Sequence, residues 1–146
     1  VLCASPAYLD RMGRPQTPEE LIHHRCLVYN LISNFESWNL YDADGQAIKT
    51  KIKPYLKASN GEFLRASAID GLGIALLPAF IVYQEIENGA LIPLLTEYRR
   101  PQLAAYALYP QTRHLSQRVR AFVDFLVKRF AGLPYWDLCL QDVENT

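Results

Sequence analysis

Charge of either sign is not in excess: fifteen Lys and Arg offset fifteen Asp and Glu over 146 residues. That balance argues against a chain that holds nucleic acid through a broadly basic surface. Histidine and cysteine are scarce, at three each. Cys3, Cys26 and Cys139 form an odd set without metal-ligand spacing. Cys3 and Cys26 sit in apolar, strand-like runs, so buried free thiols in a reducing cytoplasm are expected. None of His23, His24 and His114 has a Ser or Cys in a nucleophile-elbow context, and no Gly-x-Ser-x-Gly occurs. His23 and His24 end a helical segment, where positive charge suits the exposed carbonyls. The longest mostly apolar run, Leu72 to Tyr83, contains Pro78 and is too short to span a bilayer. No repeat, low-complexity tract or signal peptide stands out. The chain opens inside a strand and without Met, which reads as a piece of a longer protein.

What is present alternates between strands and helices. Val1 to Ala4 reads as a strand. Ser5-Pro6 then starts a short helix that stops near Gly13. Thr17-Pro18-Glu19-Glu20 repeats the device with capping-box spacing, and its helix carries Leu21-Ile22. Cys26 to Tyr29 is a strand. Trp38 to Tyr41, the turn Asp42-Ala43-Asp44-Gly45, and Ala47 to Ile52 form a hairpin. Lys49, Lys51 and Lys53 recur at every second residue, the pattern of one solvated strand face. Tyr55 to Ala58, Ile74 to Leu77, Leu91 to Leu95 and Leu103 to Tyr109 are further strands. Glu62 to Asp70 and Ala79 to Asn88 are helices, the second closed by Gly89. Ser116 caps the longest helix. There Val119, Phe122, Val123, Leu126, Val127 and Phe130 make one apolar stripe. The pattern implies an α/β open sheet with helices on both faces.

Two glycine motifs are decoys. Gly71-Leu72-Gly73 follows a helix and opens a strand, the reverse of a dinucleotide loop, so it serves as a helix stop and a close-packing point. Asp42-Ala43-Asp44-Gly45 lacks the closing Glu of a calcium loop. The corner Ser59-Asn60-Gly61-Glu62 is different. Ser59 and Glu62 have capping-box spacing, which alone would explain it. It also stands at the carboxyl end of a strand and the start of a helix, where free N–H groups favour an anion. Gly61 would let a ligand approach the backbone, while the Glu62 carboxylate would compete for the same positive end.

Ala4-Ser5-Pro6-Ala7-Tyr8-Leu9, Gly13 to Leu21, His24-Arg25-Cys26-Leu27, and Gly71 through Pro78 follow one another in an order that resembles the effector-binding domain of LysR-type transcriptional regulators. Tyr109-Pro110, Arg113 to Ser116 and Val119 to Leu126 continue the likeness, and Pro134-Tyr135-Trp136-Asp137 resembles the CrgA-like branch. The resemblance implies one subdomain of a sensor like a class II periplasmic binding protein, with a flavodoxin-like open sheet. It divides the chain into an α/β effector-binding subdomain (1–109), a C-terminal helix returning to a first subdomain (110–132) and a tail (133–146). It implies a cytoplasmic bacterial regulator that is not an enzyme, needs no cofactor, and forms homo-oligomers. DNA would be bound only through an N-terminal winged helix-turn-helix outside this chain, and no membrane is involved. The implied partner is a small-molecule effector, with a carboxylate favoured by the corner. Tyr29, Asn30 and Leu31 match one stretch that lines the cleft, and Ser59, Asn60, Gly61 and Glu62 match another. A solute receptor for transport and an enzyme of the same fold are the alternative functions. The apolar stripe is expected to fold back on the domain or to join copies of the chain.

Overall fold

The computed structural model describes residues 1–30, 36–99, 106–108, 116–132 and 134–137. Five strands form the main sheet: β1 (Leu2–Ala4), β2 (Arg25–Tyr29), β5 (Lys53–Ala58), β6 (Ile74–Leu76) and β7 (Ile92–Pro93). Between β2 and β5 the chain makes a separate hairpin of β3 (Ser37–Tyr41) and β4 (Ala47–Lys51). The helices are α1 (Pro6–Met12), α2 (Gly61–Ile69), α3 (Ala79–Glu87) and α4 (Gln117–Arg129), with 3-10 turns at Pro18–His23 and Tyr135–Asp137.

The sheet order is β5-β2-β6-β1-β7. β2 pairs in parallel with both β5 and β6, whereas β1 is antiparallel to its neighbours β6 and β7. Without β1, the other four strands follow the flavodoxin-like order of second, first, third, fourth. The expected open sheet is therefore present, but as a mixed sheet, with one reversed strand between the third and fourth positions. The parallel β2-to-β5 connection runs through the hairpin instead of a helix, which period-two patterning from Trp38 onward dictated.

Strand residues alternate between two cores, as pleating requires. Leu2, Ala4, Cys26, Val28 and Ile74 face α1, the Pro18–His23 turn and the hairpin residues Trp38 and Leu40. Val1, Cys3, Leu27 and Ala75 face α2 and α3 through Leu64, Ala68, Val82 and Ile86. Burying both faces explains why these strands read as nearly continuous apolar runs.

Local punctuation behaves as expected at several places. Gly13, Gly71 and Gly89 have positive φ where three helices stop. Gly73 serves close approach: a Cβ there would stand 2.4 Å from the Arg25 carbonyl oxygen. The Ser116 hydroxyl accepts from the Val119 N–H at 3.3 Å. Other expectations need correction. Ser5 precedes α1 but its buried hydroxyl has no hydrogen-bond partner among the described residues; its carbonyl closes the first turn instead. The segment after Thr17 is a 3-10 turn whose cap side chain makes no hydrogen bond, and Glu20 Oε2 accepts from Gln16 N at 2.8 Å. His24 is buried rather than free at a helix end. The strand expected over Leu91–Leu95 contracts to Ile92–Pro93. Of the strand expected over Leu103 to Tyr109, only 106–108 are described; they are irregular, with Tyr106 and Leu108 exposed. Cys139 and His114 lie outside the described residues.

No α4 residue is buried, so the stripe is not folded back onto the sheet. What ties this end to the body is aromatic. Trp136 meets Phe80 and Phe130 at 6.2 and 6.1 Å between ring centroids, and Tyr135 meets Tyr83 at 5.5 Å. These are edge-on or tilted geometries that the ring quadrupoles favour.

Candidate functional site

Strand order places the candidate site. The connection after β2 leads outward to β5, and the connection after β5 crosses back over β2 to β6. The carboxyl ends of β2 and β6 thus flank the point where the direction of winding reverses, the place at which open α/β sheets bind ligands. Tyr29 and Asn30 end β2, and the Ser59–Glu62 corner follows β5 beside them. Register binds the two together: Tyr29 pairs with Ala58, and the Asn30 N–H donates to the Ala58 carbonyl at 3.0 Å. Six of the seven residues expected at the site are therefore neighbours. Leu31 lies outside the described residues.

The corner is built differently from its sequence reading. Asn60, not Ser59, caps α2, with its Oδ1 accepting from Phe63 N at 3.1 Å. Extended pairing runs through Ala58, so the turn into the helix comes one residue later than Ser59-x-x-Glu62 spacing suggested. The exposed Ser59 hydroxyl makes no hydrogen bond among the described residues and faces solvent as a free donor and acceptor. The N–H groups of Gly61 and Glu62, at the first two helical positions, have no partner within the helix. Together with the helix dipole they suit a negative or hydrogen-bond-accepting group.

Gly61, the first residue of α2, serves close packing within the protein. It is buried, and a Cβ there would stand 2.0 Å from Tyr29 Oη and 2.7 Å from Ile81 Cδ1. The space a Cβ would take is filled by the Tyr29 ring from β2 and by Ile81 from α3.

Glu62 does not fold over the helix start. Its Oε2 lies 2.6 Å from Arg65 Nη2, one turn along α2. Arg65 also donates to the Ile81 carbonyl at 3.3 Å and lies 3.5 Å from Glu85 Oε1, tying α2 to α3. The Arg65 guanidinium gives Glu62 an alternative to competing for the helix N–H groups. Sequence reasoning missed Arg65, although its i+3 spacing from Glu62 is a standard helix pair. It also missed the exposed Phe63 ring beside the cap.

A second polar cluster sits at the opposite, amino end of β2. The Tyr8 hydroxyl accepts from the Arg25 N–H at 3.0 Å and lies 3.2 Å from His24 Nδ1. Burial lowers the His24 pKa and raises that of Tyr8, and both effects favour the uncharged pair. Cys26 packs nearby, its thiol pushed up to about 12 by burial. Cys3 and Cys26 are both buried, as expected, and no disulfide joins them. The Tyr8 hydroxyl ties α1 to the junction of the 3-10 turn and β2, a structural role.

Residues 1–131 match the family model described as the LysR substrate binding domain. The chain is 40% identical over 130 residues to the HTH-type transcriptional regulator CrgA of Neisseria meningitidis serogroup C, covering 88% of this chain and 43% of that protein. It is 33% identical over 128 residues to the HTH-type transcriptional activator TtdR of Escherichia coli K12, covering 86% and 40% respectively. The chain thus spans about two fifths of the length of these relatives. Among solved structures, the CrgA regulatory domain aligns with a TM-score of 0.69 at 38% identity, over 89% of this chain and 63% of that one. The regulatory domain of AphB from Vibrio vulnificus aligns at 0.72 and 26% identity, over 88% and 63%. The relatives are transcriptional regulators, and the mixed α/β open sheet is the one their regulatory domains share. With that sheet, its reversed first strand and a family match that runs from Val1 into the turn after α4, the chain belongs to the LysR substrate-binding domain family.

Proposed function

We propose that this chain is the ligand-sensing part of a cytoplasmic LysR-type transcription regulator and is not itself a catalyst. Residues 1–109 form one wall of an effector cleft, 110–132 return to a preceding subdomain, and 133–146 are a tail. Tyr29, Asn30 and Leu31 with Ser59, Asn60, Gly61 and Glu62 contact a small metabolite with a carboxylate or similar acceptor. The observation that carries this reading is the corner itself: free N–H groups of a helix start, beside a free hydroxyl, at the switch point of a sheet from a sensor family. Polar groups on a rigid frame orient a ligand without chemistry. In such a mechanism the effector shifts the relation of two subdomains only by binding one arrangement better than the other. DNA is engaged through a winged helix-turn-helix elsewhere in the intact protein, and the intact protein is a homo-oligomer. No helix of the described residues is long and apolar enough to cross a membrane.

The test uses the intact regulator. Operator binding is measured by footprinting, with and without a panel of small carboxylates. At least one carboxylate is expected to change the affinity or footprint of the parent. The same compound should fail on a variant with Ser59→Ala and Asn60→Asp, which keeps the helix cap while adding a negative charge. An intact protein with no sequence-preferring DNA binding under any condition would sink the regulator reading. A response retained in full by the variant would remove the corner from it.

A further inference from the structure

The three alternating lysines do more than decorate one strand face. β4 ends at Lys51, the chain bends through buried Ile52, and Lys53 opens β5. The bend wraps Lys49, Lys51 and Lys53 around a single open groove of about 560 Å³. Its remaining lining is Ile22, Glu36, Ser37, Ile52 and Pro54. Lys49 and Lys51, two residues apart on one strand, start about 6.6–6.8 Å from one another. Lys53 lines the same groove from the start of β5.

Two features set this groove apart from an ordinary solvated face. First, none of the three lysines forms an ion pair or side-chain hydrogen bond among the described residues; Glu36 is the single acid in the lining and is paired with none of them. The segment Lys49 to Lys57 carries four lysines and no acid, although the whole chain is balanced. Second, the floor is apolar. Ile22, on the turn between Pro18 and His23, is 41% exposed, beside half-buried Pro54 and buried Ile52. Three lysines against one acid leave the groove net positive, and the exposed Ile22 side chain prefers cover. One occupant relieves both: a molecule with a multiply charged anionic head and an apolar body. The groove volume falls in the usual range for small-molecule sites, about 300–1,000 Å³.

We propose that this groove is a second ligand site, separate from the corner, for a small polyanion bearing two or more phosphate or carboxylate groups next to an apolar part. It lies on the face of the sheet that carries α1 and the hairpin, whereas the corner starts α2 on the other face. Lysine suits such a head because each ammonium is a mobile point charge that adapts to different anion geometries.

The test is a two-dimensional amide NMR titration of the whole chain with inorganic triphosphate at about 0.1 M salt, where exposed charges more than about 10 Å apart are screened. Saturable shifts at Ile22, Ser37 and Lys49 to Lys53 are expected. The triple variant Lys49→Gln, Lys51→Gln, Lys53→Gln should weaken binding by about tenfold or more. The corresponding triple Arg variant should restore it, and each single Gln variant should fall between. Shifts confined to Gly61, Glu62 and Phe63 would overturn the proposal in favour of the corner. So would non-saturating shifts, or an unchanged affinity in the triple Gln variant. Because the groove lies away from the corner, failure here leaves the effector reading standing, and loss of the corner leaves this site standing.

Discussion

Replacing Gly61 with alanine tests how the corner is assembled. The added Cβ would stand 2.0 Å from Tyr29 Oη, 2.7 Å from Ile81 Cδ1 and 3.2 Å from Tyr29 Cζ. The first two are side-chain ends, so the ring and the isoleucine shift while the backbone holds. Overpacking of this kind costs about 1–3 kcal/mol. Alanine recovers part through its helix preference over glycine, at most about 1 kcal/mol and less at the first helical position. The net expectation is a loss of about 1–2 kcal/mol, or about 3–6 °C in melting temperature for a chain of this size. Tyr29→Phe removes the atom at 2.0 Å but leaves the ring carbon at 3.2 Å. The pair should therefore be less destabilised than the sum of the singles by about 1 kcal/mol. Urea unfolding of parent, both singles and the double closes the cycle. A Gly61→Ala protein as stable as the parent, or strictly additive effects, would refute the placement of the Tyr29 ring over the glycine.

The cap assignment separates two adjacent residues: Asn60→Ala should lower stability by about 1 kcal/mol, Asn60→Asp should hold it within a few tenths, and Ser59→Ala should change it by less than about 0.5 kcal/mol. Equal losses at both positions in chemical denaturation would contradict the Asn60 cap. His24 has a pKa lowered from its ordinary value of 6.5, so on acidification the unfolded chain takes up its proton first. Its contribution to stability is complete above about pH 7 and is lost as pH falls through 6.5 toward the folded pKa, with a slope of at most about 1.4 kcal/mol per pH unit. His24→Gln should flatten unfolding free energy against pH over that window, and an unchanged slope would show that another group is responsible. Burial that raises the Cys26 thiol to about 12 should protect it from iodoacetamide at pH 8 in the folded chain. Peptide mass spectrometry should find it labelled only after unfolding; rapid native labelling would mean that the β2 core opens.

The amino-acid sequence by itself determined whatever depends on neighbours along the chain. Positive φ at Gly13, Gly71 and Gly89, the Ser116 cap, the hairpin turn before Gly45, and the alternation that buries Leu27 on one face and Cys26 and Val28 on the other are all short-range consequences of side-chain size and hydrogen-bonding capacity. The position of the corner at the end of a strand was legible for the same reason. Tertiary structure decided the rest. Ser59 and Asn60 are both good caps, and only pairing of β5 with β2 through Ala58 selected the second. Chain pattern does not reveal direction, so the antiparallel setting of β1 came from where its partners lie. The reason for Gly61 lies thirty-two residues away in Tyr29, and the lysines that read as one strand face surround a groove because Ile52 is drawn into the core between them. Local propensity sets the conformation of each segment, but burial and backbone pairing between distant segments decide which atoms finally meet.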